Sequence, residues 1–230
     1  MVKGIFMAAR NLDSKVKNIQ IVANNLANIN TTGFKREVPF SEIMTRFETE
    51  HKKQITDYNQ GELIQTANPL NMAISGEGFF VLQSDNGYEM TRNGNFKISE
   101  EGFLVNDQGY KVMGKKGEIN VMEFALEKDQ TISVASNGEI SVGNTFVDEF
   151  LIGRIGEESN VLRKEGLNFV FENGDYFIED SDKYEVLQGF LENANINPVL
   201  EMQAMIFNNK DFETTQKVIN AFDQSMEKAN

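Results

Sequence analysis

The chain has 230 residues, enough for one large domain or two small ones, and 40% of them are apolar. Its 22 basic residues against 35 acidic ones give a formal net charge of -13, which excludes wholesale binding to a phosphate backbone. The absence of cysteine excludes disulfides, thiolate catalysis and cysteine-ligated metals, and a single histidine, His51, excludes a multi-histidine metal site.

From the N-terminus, Ile5, Leu12, Ile19 and Leu26 recur every seven residues, with Ala8, Val16, Val22 and Ile29 at the alternate positions. That spacing predicts a helix with a narrow apolar seam, made to pack against other helices, and Gly33 after Asn30-Thr31-Thr32 is its expected stop. The run Ile5-Phe6-Met7-Ala8-Ala9 is too short for a signal-peptide core or a membrane span. Three asparagines within Ala23-Asn24-Asn25-Leu26-Ala27-Asn28 weaken a helix interior, because their amides compete for backbone hydrogen bonds. Two readings stand side by side: amides that fix register in a multi-helix interface, or a helix end that is simply frayed and turned.

Residues 49–64 carry mixed charge and little periodicity, as an extended connector would. The glycines then set in: fifteen of the 18 lie between Gly76 and Gly189, while Pro39, Pro69 and Pro198 stand at the margins of that stretch. Alternation in Tyr88–Arg92 and Asn95–Ile98 around Asn93-Gly94 predicts a hairpin. Turn signals at Asn86-Gly87, Glu101-Gly102, Gln108-Gly109, Asn137-Gly138, Gly143-Asn144 and Asn173-Gly174 have the spacing of short strands in a sandwich or barrel. After Asn197-Pro198, a capping residue and a first-turn proline, a second helix carries Met202, Met205, Ile206, Phe212, Ile219, Phe222 and Met226 on one face, interrupted by Asn209 and Gln216.

The expected fold is α+β: long N- and C-terminal helices packed as a coiled-coil-like pair, an extended connector and a central all-β domain. The boundaries are 1–33 for the first helix, 34–68 for the connector, 69–190 for the β-rich centre and 191–230 for the second helix. About ten seam side chains bury too little surface to offset the ordering of both ends, so the helices are expected to become ordered when neighbouring chains crowd them. Charge is divided too: residues 1–36 hold six basic side chains against Asp13, whereas residues 145–201 hold thirteen acids against four bases. Solvated faces are the plainer reading of both.

Nothing singles out a reactive centre. Gly76-Glu77-Gly78 is followed by strand-like Phe79-Phe80-Val81-Leu82 rather than a helix, so it reads as a tight turn and not a nucleotide loop. Glu179-Asp180-Ser181-Asp182 lacks the glycine and twelfth-position glutamate of a calcium loop and reads as a solvated turn. His51 beside Lys52 and Lys53 reads as a surface residue, and Met90, Met113 and Met122 as core filling. No catalytic residue, metal ligand or cofactor is expected.

Three segments, in order along the chain, resemble the bacterial flagellar rod and hook protein family. Residues 23–35, Ala23-Asn24-Asn25-Leu26-Ala27-Asn28-Ile29-Asn30-Thr31-Thr32-Gly33-Phe34-Lys35, resemble its N-terminal signature. Gly76-Glu77-Gly78-Phe79-Phe80-Val81 and Thr91-Arg92-Asn93-Gly94-Asn95-Phe96 resemble its central region, and residues 187–198 with Glu201-Met202 its C-terminal signature. Ala194 and Lys210 depart from it, standing where serine and arginine are common. The resemblance implies a structural subunit of the flagellar basal-body rod, closer to the proximal-rod type than to the distal-rod type. It implies terminal helices that polymerise into a tubular shaft transmitting torque around an export channel. Its partners would be copies of itself, other rod and hook subunits and the flagellar export apparatus, with no nucleic acid and no membrane insertion. It would be exported without a cleaved signal peptide to the rod crossing the periplasm. Under this reading the assembly interface and its register fall on Ile5, Leu12, Ile19, Asn24, Asn25, Leu26, Asn28, Met202, Met205, Ile206, Phe212 and Ile219. The connector hinge falls on Gly33, Phe34 and Pro39. The alternative is a secreted hydrolase or ligand-binding module whose helical ends are incidental, in which case turnover would depend on a central carboxylate.

Overall fold

A computed structural model describes residues 2–39, 55–85, 87–122, 131–154, 161–163, 166–171, 177–178 and 183–227. In chain order they form α1 (Val2–Ala27), β1 (Glu37–Val38), β2 (Ile55–Thr56), β3 (Leu63–Gln65), β4 (Met72–Gly76), β5 (Phe79–Ser84), β6 (Gly87–Thr91) and β7 (Lys97–Ile98). There follow β8 (Leu104–Val105), β9 (Lys111–Gly114), β10 (Gly117–Glu118), β11 (Ile132–Val134), β12 (Glu139–Val142), β13 (Thr145–Glu149) and β14 (Ile152–Arg154). The last are β15 (Val161–Arg163), β16 (Asn168–Phe171), β17 (Phe177–Ile178), β18 (Tyr184–Gln188), β19 (Phe190–Glu192) and α2 (Pro198–Glu227). The expectation of an α+β fold is corrected: two helices of 26 and 30 residues flank many antiparallel strands, and the fold is mainly β. The physical reason is that pairing is not confined to the glycine-rich centre. β1 pairs β2, and β3 pairs β19, inside what the sequence presents as an unpaired connector. His51, Asn86, Asn173-Gly174 and Glu179–Asp182 lie outside the described residues.

The chain divides into two compact units. One comprises residues 31–34 and 60–194 and holds β3 to β19. Its central strand is β5, which pairs with β6, β9 and β14 and is buried on both faces. Because side chains alternate along a strand, Phe80 and Leu82 enter one apolar cluster while Phe79 and Val81 enter another. In the larger cluster Phe80 meets Phe96 and Phe150 edge-on, with ring centroids 5.1 and 5.3 Å apart. Met90 and Met113 fill the smaller cluster, but Met122 is exposed and fills nothing.

The hairpin expected around Asn93-Gly94 does not form. β6 pairs with β5 and β16, and β7 pairs with β8. Asn93 instead takes the backbone N–H of Asn95 on its side-chain oxygen at 3.1 Å, and the Gly94 carbonyl accepts from the Met72 N–H at 2.9 Å. A β-carbon at Gly94 would overlap the Met72 carbonyl oxygen, so this glycine serves a backbone crossing and not a reversal. The signals at Gly102, Gly109, Gly138 and Gly143 do mark turns, each glycine with positive φ. The last two connect β11, β12 and β13 into a three-stranded sheet. The outer edge of β11 is met by a carboxamide: Gln188 accepts from the Val134 N–H at 3.1 Å and donates to the Ile132 carbonyl at 2.9 Å.

Arg92 and Glu192 form a buried ion pair in this unit at 3.2 Å. Arg92 also donates to the Gly76 carbonyl at 2.7 Å and lies over the Phe79 ring. Burial pulls its guanidinium below the usual value, and the neighbouring Glu192 opposes that shift.

The other unit comprises residues 1–30, 35–59 and 195–230 and contains α1, β1, β2 and α2. The helices pack antiparallel, with Lys15 donating to Asp211 at 2.6 Å and Asn25 donating to Glu201 at 3.4 Å. Asn197 caps α2 as its sequence suggests, accepting from the N–H groups of Val199 and Leu200 at 3.0 and 3.3 Å. α1 ends at Ala27, before Gly33, because Asn28 returns its side-chain N–H to the Asn24 carbonyl at 2.9 Å and closes the last turn.

Candidate functional site

The buried groups of the helical unit are mostly polar. Among its described residues the buried apolar side chains are Val22 and Pro39, accompanied by Asn18, Asn25, Lys35, Glu37 and Glu201. Several of these converge where the C-terminal end of α1, strand β1 and the first turn of α2 meet. Asn25 works as a strand partner: its Nδ2 donates to the Glu37 carbonyl at 2.8 Å and its Oδ1 accepts the Glu37 N–H at 2.9 Å. The same Nδ2 reaches Glu201 Oε2 at 3.4 Å, and Arg36 Nε donates to the other Glu201 oxygen. Asn195, three residues ahead of α2, accepts the Arg36 N–H at 2.7 Å and donates to the carbonyls of Asp57 and Asn59 at 2.8 and 2.9 Å. Lys35 Nζ donates to the Asn59 carbonyl at 2.7 Å.

This arrangement holds geometry and offers no reaction. The Glu201 carboxylate, 1% exposed, is fully engaged by Arg36 and Asn25, and removing one partner from such a group strands the others. Among the described residues no group of three or more His, Asp or Glu is placed to hold a metal ion. Among them, too, no helix is long and apolar enough to cross a membrane.

The residues picked out from the sequence separate into three sets. Asn25 is in the knot; Asn28 bonds Asn24 within its own turn, and Asn24 itself is exposed. Leu12, Ile19 and Leu26 are half-buried, while the deepest seam positions of α1 are Asn18, Val22 and Asn25, so the contact face is rotated by one residue from the apolar heptad. On α2, Met205, Phe212 and Ile219 are half-buried, whereas Met202 and Ile206 are 52% and 54% exposed. Ile5 lies within α1, and Gly33, Phe34 and Pro39 are buried. Arg36, Glu37, Asn195 and Glu201 are the functional residues that apolar periodicity misses. The available signal is a lone acid, Glu201, set in the first turn of an apolar helix a few residues after a run of asparagines.

Three family profiles match in chain order. Residues 15–35 match the flagella basal body rod protein, residues 73–142 the flagellar hook protein FlgE/F/G D1 domain, and residues 187–230 the flagellar basal body rod FlgEFG protein C-terminal region. Asn25, Lys35, Asn195 and Glu201 all fall within the two terminal matches. The chain is 31% identical over 229 residues to the flagellar basal-body rod protein FlgF of Salmonella typhimurium, covering 91% of this chain and 90% of that one. The chain belongs to the flagellar basal-body rod protein family. Rod proteins of both names align over most of their length: FlgF of Caulobacter vibrioides is 28% identical, covering 88% of this chain and 86% of its own. FlgG of Buchnera aphidicola is 27% identical, covering 99% and 98%. The protein is a structural rod subunit of the flagellar basal body and not an enzyme, which sets aside the hydrolase alternative. Within the rod family, the knot joins the two terminal signature regions of one chain: Asn25 from the first meets Glu201 from the second.

Proposed function

We propose that this rod subunit polymerises through the outward faces of its two terminal helices. It joins copies of itself and other rod and hook subunits in a tubular shaft that transmits torque and leaves a channel for export. The observation that carries this reading is the outer face of α2. Val199, Leu200, Met202, Ile206 and Phe207 are between 52% and 68% exposed, opposite the Glu201–Met205–Phe212 side that meets α1. Apolar side chains on both sides of one helix are the mark of a helix with partners on both sides. On α1 the corresponding outer positions are exposed: Val16 adds apolar surface, and the small Ala23 and Ala27 suit close approach by a neighbouring helix. Delivery through the flagellum's own export apparatus, and the expected ordering of the two terminal helices upon assembly, belong to the same proposal.

The test is an Ile206→Asp/Phe207→Asp variant of the full chain, expressed in a host lacking the native protein. Circular dichroism and thermal melting should match the parent, since neither side chain is buried. Incorporation into isolated basal bodies and swimming should be lost. Normal incorporation would show that α2 does not use this face.

A further inference from the structure

Among the described residues of the helical unit, one buried side-chain atom lacks a hydrogen-bond partner. Asn18 lies in the middle of the α1 seam at 2% exposure, and its Oδ1 has no donor. The two interhelical bonds set its level. Asn25 meets Glu201 and Lys15 meets Asp211, so positions facing across the antiparallel pair keep a constant sum, which brings Asn18 level with Asn208. Asn208 is half-buried and spends one of its two amide hydrogens on the Ala204 carbonyl of its own helix, at 2.9 Å. The rungs repeat. On α1 Asn11, Asn18 and Asn25 stand seven apart, and on α2 so do Glu201, Asn208 and Thr215. In the observed register Asn25 meets Glu201, Asn18 lies level with Asn208, and the exposed Asn11 lies level with Thr215. Between them run the apolar seam positions Val22 on α1 and Met205, Phe212 and Ile219 on α2.

We infer that Asn18 and Asn208 form a register lock for the helix pair, the second Asn208 amide hydrogen being the donor that Asn18 Oδ1 needs. A carboxamide facing another carboxamide is tolerated inside a seam, and one facing an apolar side chain is not. A slip of half a heptad would set Asn18 against Met205 or Phe212 and set Val22 against Asn208. The polar rungs therefore fix the phase of the two helices, while the knot at Glu201 chooses among whole-heptad alternatives, which the rungs alone would accept. A purely apolar seam of this length would slide, and the outer faces of α1 and α2 would lose their fixed relation. This inference stands apart from what assembles around those faces.

The absence of cysteine makes a clean reporter possible. Full-length protein would carry Lys15→Cys with either Asp211→Cys, which reads the observed register, or Thr215→Cys, which reads the half-heptad slip that sets Asn18 against Phe212 and Val22 against Asn208. Disulfide formation under mild oxidation is then compared between the two pairs. In the Asn18→Leu/Asn208→Leu background the preference for the 15/211 pair should fall about tenfold, the equilibrium factor that one hydrogen bond of this kind typically governs. Each single Leu variant should lower the melting of the helices more than the double variant does, because it leaves one amide facing a leucine. That coupling is read by circular dichroism, independently of cross-linking. An unchanged 15/211 preference in the double variant, additive effects of the two single changes, or no preference in the parent would each overturn the lock.

Discussion

The two units of this rod subunit are built on opposite interiors. In the β unit, strand β5 is apolar on both faces and three phenylalanines cluster around it. In the helical unit the described interior is a valine and a proline among asparagines, a lysine and two glutamates. Apolar burial is non-directional and contributes most of a domain's stability. Buried hydrogen bonds contribute little net stability but penalise every wrong arrangement. One part of the chain thus draws its stability from apolar burial, and the other draws its specificity from buried hydrogen bonds.

The largest effect expected from this contrast is in the β unit. Phe80→Ala removes a fully buried ring from the centre of the aromatic cluster and should cost about 3–5 kcal/mol of unfolding free energy. Urea unfolding followed by circular dichroism measures it; a cost under about 1 kcal/mol would mean that the cluster is not the stabilising core. Next is Glu201→Ala, which removes the carboxylate that Arg36 and the Asn25 amide share and should cost about 2 kcal/mol. Its effect should be confined to the helical unit: hydrogen exchange should quicken across residues 18–27 and 198–208 while the β-unit strands keep their protection. Equal quickening in both units would erase the distinction. A smaller effect is expected for Asn25→Ala, roughly 1–2 kcal/mol, since the Glu37 N–H and carbonyl lose their partner but the Arg36–Glu201 pair remains. Asn24→Ala, at the neighbouring but exposed position, should cost less than about 0.5 kcal/mol in the same melt.

The different interiors also explain what could be read from the sequence. Turn glycines and the Asn197-Pro198 cap are local devices whose chemistry acts where it is written, and Gly102, Gly109, Gly138, Gly143 and Asn197 lie where their signals place them. Asn93-Gly94 has the same local signature, yet Gly94 answers to Met72, a partner that local pattern cannot reveal. The helix seams fail for a related reason. Apolar periodicity finds the most apolar stripe of a helix and assigns it to the partner in the same chain. Here that partner takes the asparagine side of α1 and the Glu201 side of α2, and much of the apolar stripe of α2 faces outward. Periodicity tells which face of a helix avoids water, and in a subunit of a polymer that face need not be an internal one. Of the candidate site, Asn25 stood in the sequence as an asparagine out of place in a helix. Its partners Glu37 and Glu201, and the Arg36 that holds the other Glu201 oxygen, are identifiable only once β1 is laid across the helix ends.

A last, small effect separates buried specificity from surface charge. Lys15 and Asp211 meet at 2.6 Å, but their side chains are 22% and 60% exposed, so water and ions screen the pair. Replacing both with alanine in a double-mutant cycle should give a coupling of about 0.2–1 kcal/mol, and in ~1 M salt, where the Debye length is about 3 Å, the coupling should approach zero. Glu201→Ala should show a much weaker salt dependence, because the Glu201 carboxylate is only 1% exposed. The same salt titration on both variants therefore measures where the helical unit keeps its order. If the Lys15–Asp211 coupling matched the loss at Glu201 and salt abolished both, the helices would be held by their charged exterior. Their polar interior would then be a tolerated cost instead of the source of their register.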